Sequence, residues 1–370
     1  MKNLKRITSS VVALGMLTTA MLSTTACDKR QQLIVYNWGE YIAEETIDKF
    51  QQAYPQYNVV YRTFETNETM YPNLSNDYDV IVPSEYMVCR LIQEERIQPI
   101  DWSKLPSVTK YMDPMFKDLQ YAEDKELSNK VLEYAVPYLY CTVGLVYDAN
   151  KITIPEGTTD AKEIWKVIFD EANKGKIGMY DSMRESIGTA LNYLGYSINT
   201  MDEAQLKEAL DLLIKQKANV SPAYGVDNLK DKMASGELSA SIAWSGDHIV
   251  MLDRIEELGG NDNIDLKFVL PSGSNWSVDM MCVPTNCQNY EGAMDFINFM
   301  YDPQIAFENC EYVGYSTPNT AAKDMLDPEV SGNIYYYPTS EVFSTLEVYY
   351  TSEKIEEKYT EIWNTVKASA

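Results

Sequence analysis

The chain has 370 residues, and its 55 Asp and Glu against 31 Lys and Arg give a formal charge of −24. So acidic a balance argues against a nucleic-acid partner, whose phosphates need a basic surface. It is compatible with cationic ligands without requiring them, because acidic surfaces also serve solubility.

In chain order, the first element is an export signal. Met1-Lys2-Asn3-Leu4-Lys5-Arg6 is basic, Val11 to Leu17 is apolar, and Leu22-Ser23-Thr24-Thr25-Ala26-Cys27 ends in small residues. Residues 1–26 therefore read as a secretory signal, too short and too broken by Thr to span a bilayer stably. The end of this segment resembles the lipobox of bacterial lipoproteins, with Thr24 where Leu is usual. That resemblance implies lipidation at Cys27 and a lipidated tether over 27–32, whereas simple cleavage after Ala26 would give a free secreted domain. No later stretch is apolar for long enough to cross a membrane, so attachment would be through the lipid alone.

With the leader and tether excluded, roughly 340 residues remain, which suggests two domains. Composition is ordinary apart from 28 Tyr, an excess that fits aromatic-rich packing or a sticky cleft. Beyond Cys27 there are Cys89, Cys141, Cys282, Cys287 and Cys310, an odd number without CxxC or zinc spacing. Buried free thiols are expected, with a Cys282–Cys287 bridge left open.

Leu33 to Asn37 reads as a strand running into Trp38-Gly39-Glu40-Tyr41, then into a helix over Ile42 to Tyr54 stopped by Pro55. Val59 to Phe64 is a second strand, and a short helical piece follows through Met70 and Leu74. Asp79-Val80-Ile81-Val82 is an apolar run of the kind that forms a buried parallel strand. Ser84 can then cap a helix carrying Val88, Leu91 and Ile92. This βαβαβ pattern puts the Trp38 loop and Ser84-Glu85-Tyr86 at the carboxyl ends of strands, where ligands of open α/β sheets sit. Aromatic rings beside carboxylates suit a ligand that is partly apolar and positively charged. The same residues also serve as ordinary rim or core.

Pro99 to Met115 is a surface connection. Leu132 to Tyr147 is strongly apolar and reads as one or two strands, with a first crossing between lobes near Pro137. Ala161 to Lys174 is helical. Gly178 to Gly188 is a strand end turning into a helix through Leu191 and Leu194, with Asp181, Ser182 and Glu185 near its start. Capping accounts for Asp181 or Ser182, and less readily for Glu185. Met201 to Lys217 is a surface helix, and the strand Leu238 to Trp244 delivers Trp244-Ser245-Gly246-Asp247. After the short strand Phe268 to Pro271, Trp276 and Asp279 make a fourth pairing of indole and carboxylate. Glu291 to Met300 is helical, Gly314-Tyr315-Ser316-Thr317 is a turn, and the tail from Ser340 is helical and charged.

Four aromatic-plus-acid loops at strand ends, spread over both halves of the chain, form a pattern. They lie among longer matches: Tyr36 to Tyr41, Phe64 to Tyr71, Tyr78 to Ser84, Leu194-Gly195-Tyr196-Ser197, Glu291 to Phe299 and Gly314 to Asn319. On these the chain resembles the spermidine/putrescine-binding proteins of bacterial polyamine ABC importers. The resemblance implies an α/β, two-lobed periplasmic-binding-protein-like fold of type II, with a ligand cleft between lobes joined by a hinge. It implies a polyamine ligand, a membrane ABC permease as partner, a monomer, and no cofactor or metal. Lobe 1 is expected over 33–137 plus 279–317 and lobe 2 over 138–278 plus 318–370.

Carried over by position, the resemblance assigns the ligand to Trp38, Glu40, Tyr41, Ser84, Tyr86, Glu185, Trp244, Asp247, Asp279 and Tyr315. Gly39, Glu85, Asp181, Ser182, Trp276 and Tyr349 are further candidates. Glu185 and Asp279 would pair with ammonium groups, and the rings would sandwich methylenes. Three departures bear on ligand length: Ser182 replaces a second acid, Trp276 lies three residues before Asp279 rather than two, and Tyr349 falls near a Gln of some relatives. Asp247 offers a substitute charge.

Magnitudes favour these residues over general acidity. Truncating one partner of a desolvated charge pair costs about 2–5 kcal/mol, against roughly 0–1 kcal/mol for an exposed pair. A buried methylene adds about 0.8 kcal/mol, so a short diamine reaches micromolar binding, about 8 kcal/mol, only by using its charged ends. The alternatives are the same fold holding a sugar or chelated metal, a secreted glycosidase with paired carboxylates, and, more weakly, an adhesin or scaffold. The chain shows no Ser/His/Asp order, HExxH or Gly-rich phosphate loop. Its one histidine, His248, reads as a helix residue off the ligand.

Overall fold

A computed structural model describes residues 30–369. The signal segment 1–26, Cys27 and residues 28–29 of the proposed tether lie outside the described residues. Ten strands form one sheet: β1 Gln31–Trp38, β2 Tyr57–Phe64, β3 Val80–Ile81, β4 Ile97–Gln98, β5 Ala135–Asp148, β6 Ile177–Tyr180, β7 Ala223–Gly225, β8 Ala240–Trp244, β9 Leu266–Val269 and β10 Trp276–Pro284. Their order is β2-β1-β3-β10-β5-β8-β6-β7, with β4 on β10 and β9 on β5.

Both ends of this sheet are parallel α/β units. β2, β1 and β3 run parallel at one end, and β7, β6 and β8 at the other. Strands buried on both faces need continuous apolar runs, and Asp79 to Val82 supplies one. The helix after β1 starts at Thr46 rather than Ile42, and Phe50 is its most deeply buried apolar side chain.

The two ends meet through β5, a single strand whose residues are all buried. Its first half pairs antiparallel with β10, from Ala135↔Cys282 to Thr142↔Trp276. From Val143 onward it pairs with β8 and β9 instead. Each end thus has its own hydrophobic core, packed on both faces of the first sheet region and around Trp165, Leu145 and Ile242 in the second.

Pro137 lies inside this central strand, where a missing N–H would normally break the ladder. The register slips at that point: Asp279 pairs with Leu139 and Met280 with Pro137. A bulge absorbs the lost donor and bends the strand beside Asp279. Among the described residues the five cysteines are free, Cys282 and Cys287 included. Cys287 instead donates to Asp79 Oδ1 at 3.2 Å.

Candidate functional site

Three carboxylates, Glu185 and Asp247 buried and Asp279 half-buried, meet where the two strand-end regions face each other, and each is held by neutral donors. Asp279 on β10 accepts the Tyr41 hydroxyl on Oδ2 and the Ser84 hydroxyl on Oδ1, both at 2.7 Å. Ser84 precedes the helix Glu85–Gln93 but makes no side-chain cap, because its hydroxyl is spent on Asp279. Burial pushes the Asp279 carboxyl up to about 6, against the lowering pull of those two hydroxyls.

Glu185 comes from the first turn of the helix Met183–Leu194. Its Oε2 accepts the Tyr349 hydroxyl at 3.0 Å and its Oε1 the Trp244 indole N–H at 3.3 Å. Burial raises it to about 7. Asp247, in the first turn of the helix Ser245–Glu257, accepts Tyr180 at 2.5 Å and Tyr315 at 3.0 Å. It too is raised by burial, and Lys230, 3.9 Å away, lowers it again.

Aromatic rings wall these acids. Trp244 stacks on Tyr180 with centroids 4.3 Å apart, and Tyr41 meets Tyr315 edge-on at 5.3 Å. Trp38 sends its indole N–H to the Val82 carbonyl at 2.8 Å, which ties the ends of β1 and β3 together. Tyr86 accepts from Asn67 and donates to Glu68, both at 2.9 Å. The same Asn67 amide donates to Ser84 at 3.0 Å.

Several expected residues stand apart from this cluster. Alternation along β10 sends Trp276 to the face opposite Asp279, where it packs with Tyr121 and Phe343 in the first region's core. Glu85 turns inward beneath β10, its Oε2 accepting Ser277 Oγ–H and Val278 N–H. Its Oε1 has no partner, and burial lifts the group to about 8. Asp181 is half-exposed and ion-paired with Lys367. Ser182 is the residue before the helix but caps nothing with its side chain. Gly39 is exposed, and Glu40, at φ +48°, reaches Lys230 and Arg254 at 3.5 Å each rather than the buried acids.

His248 is buried, with Nδ1 at 2.7 Å from the Tyr336 hydroxyl and Nε2 at 3.2 Å from the Leu266 carbonyl. The carbonyl needs a donor, so Nε2 carries the proton and Nδ1 accepts from Tyr336. Burial depresses the ring to about 4, which keeps it neutral. Among the described residues no His, Cys, Asp and Glu cluster of metal-holding geometry occurs.

With this geometry in view, the decisive match is to the bacterial extracellular solute-binding proteins, over residues 45–334. The chain belongs to this family. It is 32% identical over 346 residues to the spermidine/putrescine-binding periplasmic protein of Escherichia coli (strain K12), across 91% of this chain and 92% of that one. Among solved structures it is similar to the spermidine/putrescine ABC transporter substrate-binding protein PotD of Streptococcus pneumoniae. The TM-score is 0.72 at 33% identity, covering 91% of this chain and 98% of that one. The Tp0655 (TpPotD) lipoprotein of Treponema pallidum gives a TM-score of 0.71 at 25% identity, covering 91% and 99%. The fold is the two-lobed type II fold of these solute-binding proteins.

Within this solute-binding frame, four residues escaped the sequence reading. Tyr180 holds Asp247 and also accepts the Trp244 backbone N–H at 2.8 Å; its place at the end of β6, just before Asp181, was the available signal. Arg184 is 3% exposed, bonded to Glu356 and to the Tyr350 carbonyl, and lies 4.2 Å from the Tyr86 ring. Glu68 receives Tyr86 and sits 4.0 Å from Arg184. Lys230 lies in an ordinary charged helix, and nothing in the local pattern marks it.

Proposed function

We propose that this chain is an extracytoplasmic receptor that captures a polyamine, putrescine or spermidine, and delivers it to an ABC permease. One observation carries the reading. Glu185 is buried and Asp279 half-buried, both accept only O–H and N–H donors, and neither forms an ion pair among the described residues. Buried carboxylates are stabilised as anions by a matched cation. Alkyl ammonium groups are such cations, and the Trp244, Tyr41 and Tyr315 rings suit the methylenes between them. The names of the relatives point to the same ligand class.

Closure would turn on the three crossings near Pro137, Asp279 and Thr317. Supporting this, β5 changes partners after Thr142, and Ser316 bridges to Tyr140 beside it. Cys27 is proposed as the lipidated residue, on the lipobox-like Leu22 to Cys27 and the lipoprotein among the solved relatives. Loss of membrane attachment in Cys27→Ser, followed by fractionation, tests it. Binding without turnover is the expected behaviour. A chromogenic glycoside left intact, with saturable heat on polyamine addition, fits the receptor; hydrolysis of the glycoside contradicts it.

A further inference from the structure

Lys230 sets Asp247 apart from the other two inward carboxylates. From the helix Asp227–Ala234 its ammonium lies 3.9 Å from Asp247 Oδ1, 2.9 Å from Asp227 Oδ1 and 3.5 Å from Glu40 Oε2. Asp227 and Glu40 are 59% and 60% exposed, so water screens them strongly. Asp247 is 4% exposed and Lys230 8%, so theirs is the pair in which charge is least screened. The ammonium therefore serves as the resident counter-ion of Asp247.

Asp279 has no such resident cation, and Glu185 feels Arg184 only from beyond ion-pair reach, that guanidinium being paired with Glu356. Each takes two neutral donors, and no Lys or Arg of the described residues forms an ion pair with either. The cleft thus holds three inward acids, two buried and Asp279 half-buried, and one lysine committed to Asp247.

We infer that Lys230 is a specificity-determining residue: by balancing Asp247 it leaves room for two ammonium groups, at Asp279 and Glu185, and selects a diamine over a triamine. This rests on the polyamine reading above. A third ligand ammonium would have to sit beside Lys230 in a poorly solvated space, where like charges repel. Ser182, which stands where the resemblance expects another acid, offers no charge for it either. Asp247 by itself could have served a third amine, and Lys230 is what removes it from use.

The test is calorimetric titration of putrescine and spermidine into the wild type, Lys230→Met, and the double variant Lys230→Met/Asp247→Asn. Met preserves the buried stem of the lysine. The wild type is expected to bind putrescine at least about tenfold tighter than spermidine, and Lys230→Met to shift that ratio about tenfold toward spermidine. The double variant, which leaves no unpaired acid at this position, is expected to return the ratio to the wild-type value. A general loss of packing would weaken both amines together and leave the ratio alone. Should Lys230→Met fail to fold, Lys230→Gln, which also removes the charge, takes its place in the same titration with the same shift expected. Preference of the wild type for spermidine, or an unchanged ratio in folded Lys230→Met, overturns the inference and leaves the polyamine reading standing. A folded wild type that binds neither amine overturns that reading itself, and the inference with it.

Discussion

The two walls of the cleft obey different electrostatic rules. On the wall built from β1, β3 and β10, one carboxylate, Asp279, is held by Tyr41 and Ser84, and no basic side chain pairs with it. The opposite wall packs Glu185 and Asp247 in the neighbourhood of Arg184 and Lys230, both less than a tenth exposed. Arg184 lies over Tyr86 of the first wall and 4.0 Å from Glu68, while Lys230 and Arg254 reach Glu40. The cations of the second wall thus bridge to the first as well as balance acids. Burial of a carboxylate alone does not define a cation site; what matters is whether the protein already supplies the counter-charge.

The comparison is broken most severely by removing Asp279 from the first wall. Asp279→Asn keeps the shape and an acceptor for one of the two hydroxyls, Tyr41 or Ser84, and is expected to weaken polyamine binding by about 100-fold or more, in the range of a lost desolvated charge pair. Calorimetry reads the loss and circular dichroism confirms the fold. Glu185→Gln is expected to lose less, because Arg184 nearby already favours its charge.

A second break falls on the bridging cation. Arg184→Met leaves Glu356 and the Tyr350 carbonyl without their partner. It is expected to destabilise the ligand-free domain by about 3 kcal/mol, as for other broken buried pairs, read as a lower urea midpoint.

Titration with pH sharpens the comparison. Asp279 at about 6 and Glu185 at about 7 must both lose a proton to hold two ammonium groups. Polyamine affinity therefore rises with pH through that window and flattens above it, by roughly tenfold per group per pH unit below its value. Stability of the ligand-free protein runs the other way. Burial raises both carboxyls above their unfolded values of 3.8 and 4.5, so the folded state binds more protons between each pair of values. Stability is thus lost as pH rises through the folded values, and Glu85, raised from 4.5 to about 8, extends that loss upward. Thermal melts with and without putrescine across this range check both signs.

The smallest effect separates the two indoles. Trp244→Leu removes the N–H held by Glu185 and the ring stacked on Tyr180, and is expected to weaken binding about tenfold, the size of a lost aromatic and hydrogen-bond contact. Trp276→Leu lowers the melting temperature instead and leaves the titration within about threefold, since its ring belongs to the core.

Much of this was legible in the sequence because strand periodicity and strand-end loops are local. The runs at Leu33, Val59 and Asp79, and the acids Asp279, Glu185 and Asp247, were in plain view. Trp276 misled because its spacing to Asp279 is odd, and a strand turns odd-spaced neighbours to opposite faces. Ser84 read as a cap, but a partner 195 residues away took its hydroxyl. Lys230, Arg184 and Glu68 act through long-range contacts, which no local pattern encodes. The helix start at Thr46 was missed because the apolar spacing of Ala43 continues past the true end.

The most direct measurement is calorimetric titration of the soluble domain, truncated after Cys27, with putrescine, cadaverine, spermidine, spermine and a neutral sugar, repeated with Asp279→Asn. Saturable binding of one or two polyamines, none of the sugar, and severe loss in the variant is the predicted result. A folded domain that binds no amine, or an Asp279→Asn variant that binds as tightly as the wild type, would contradict the account.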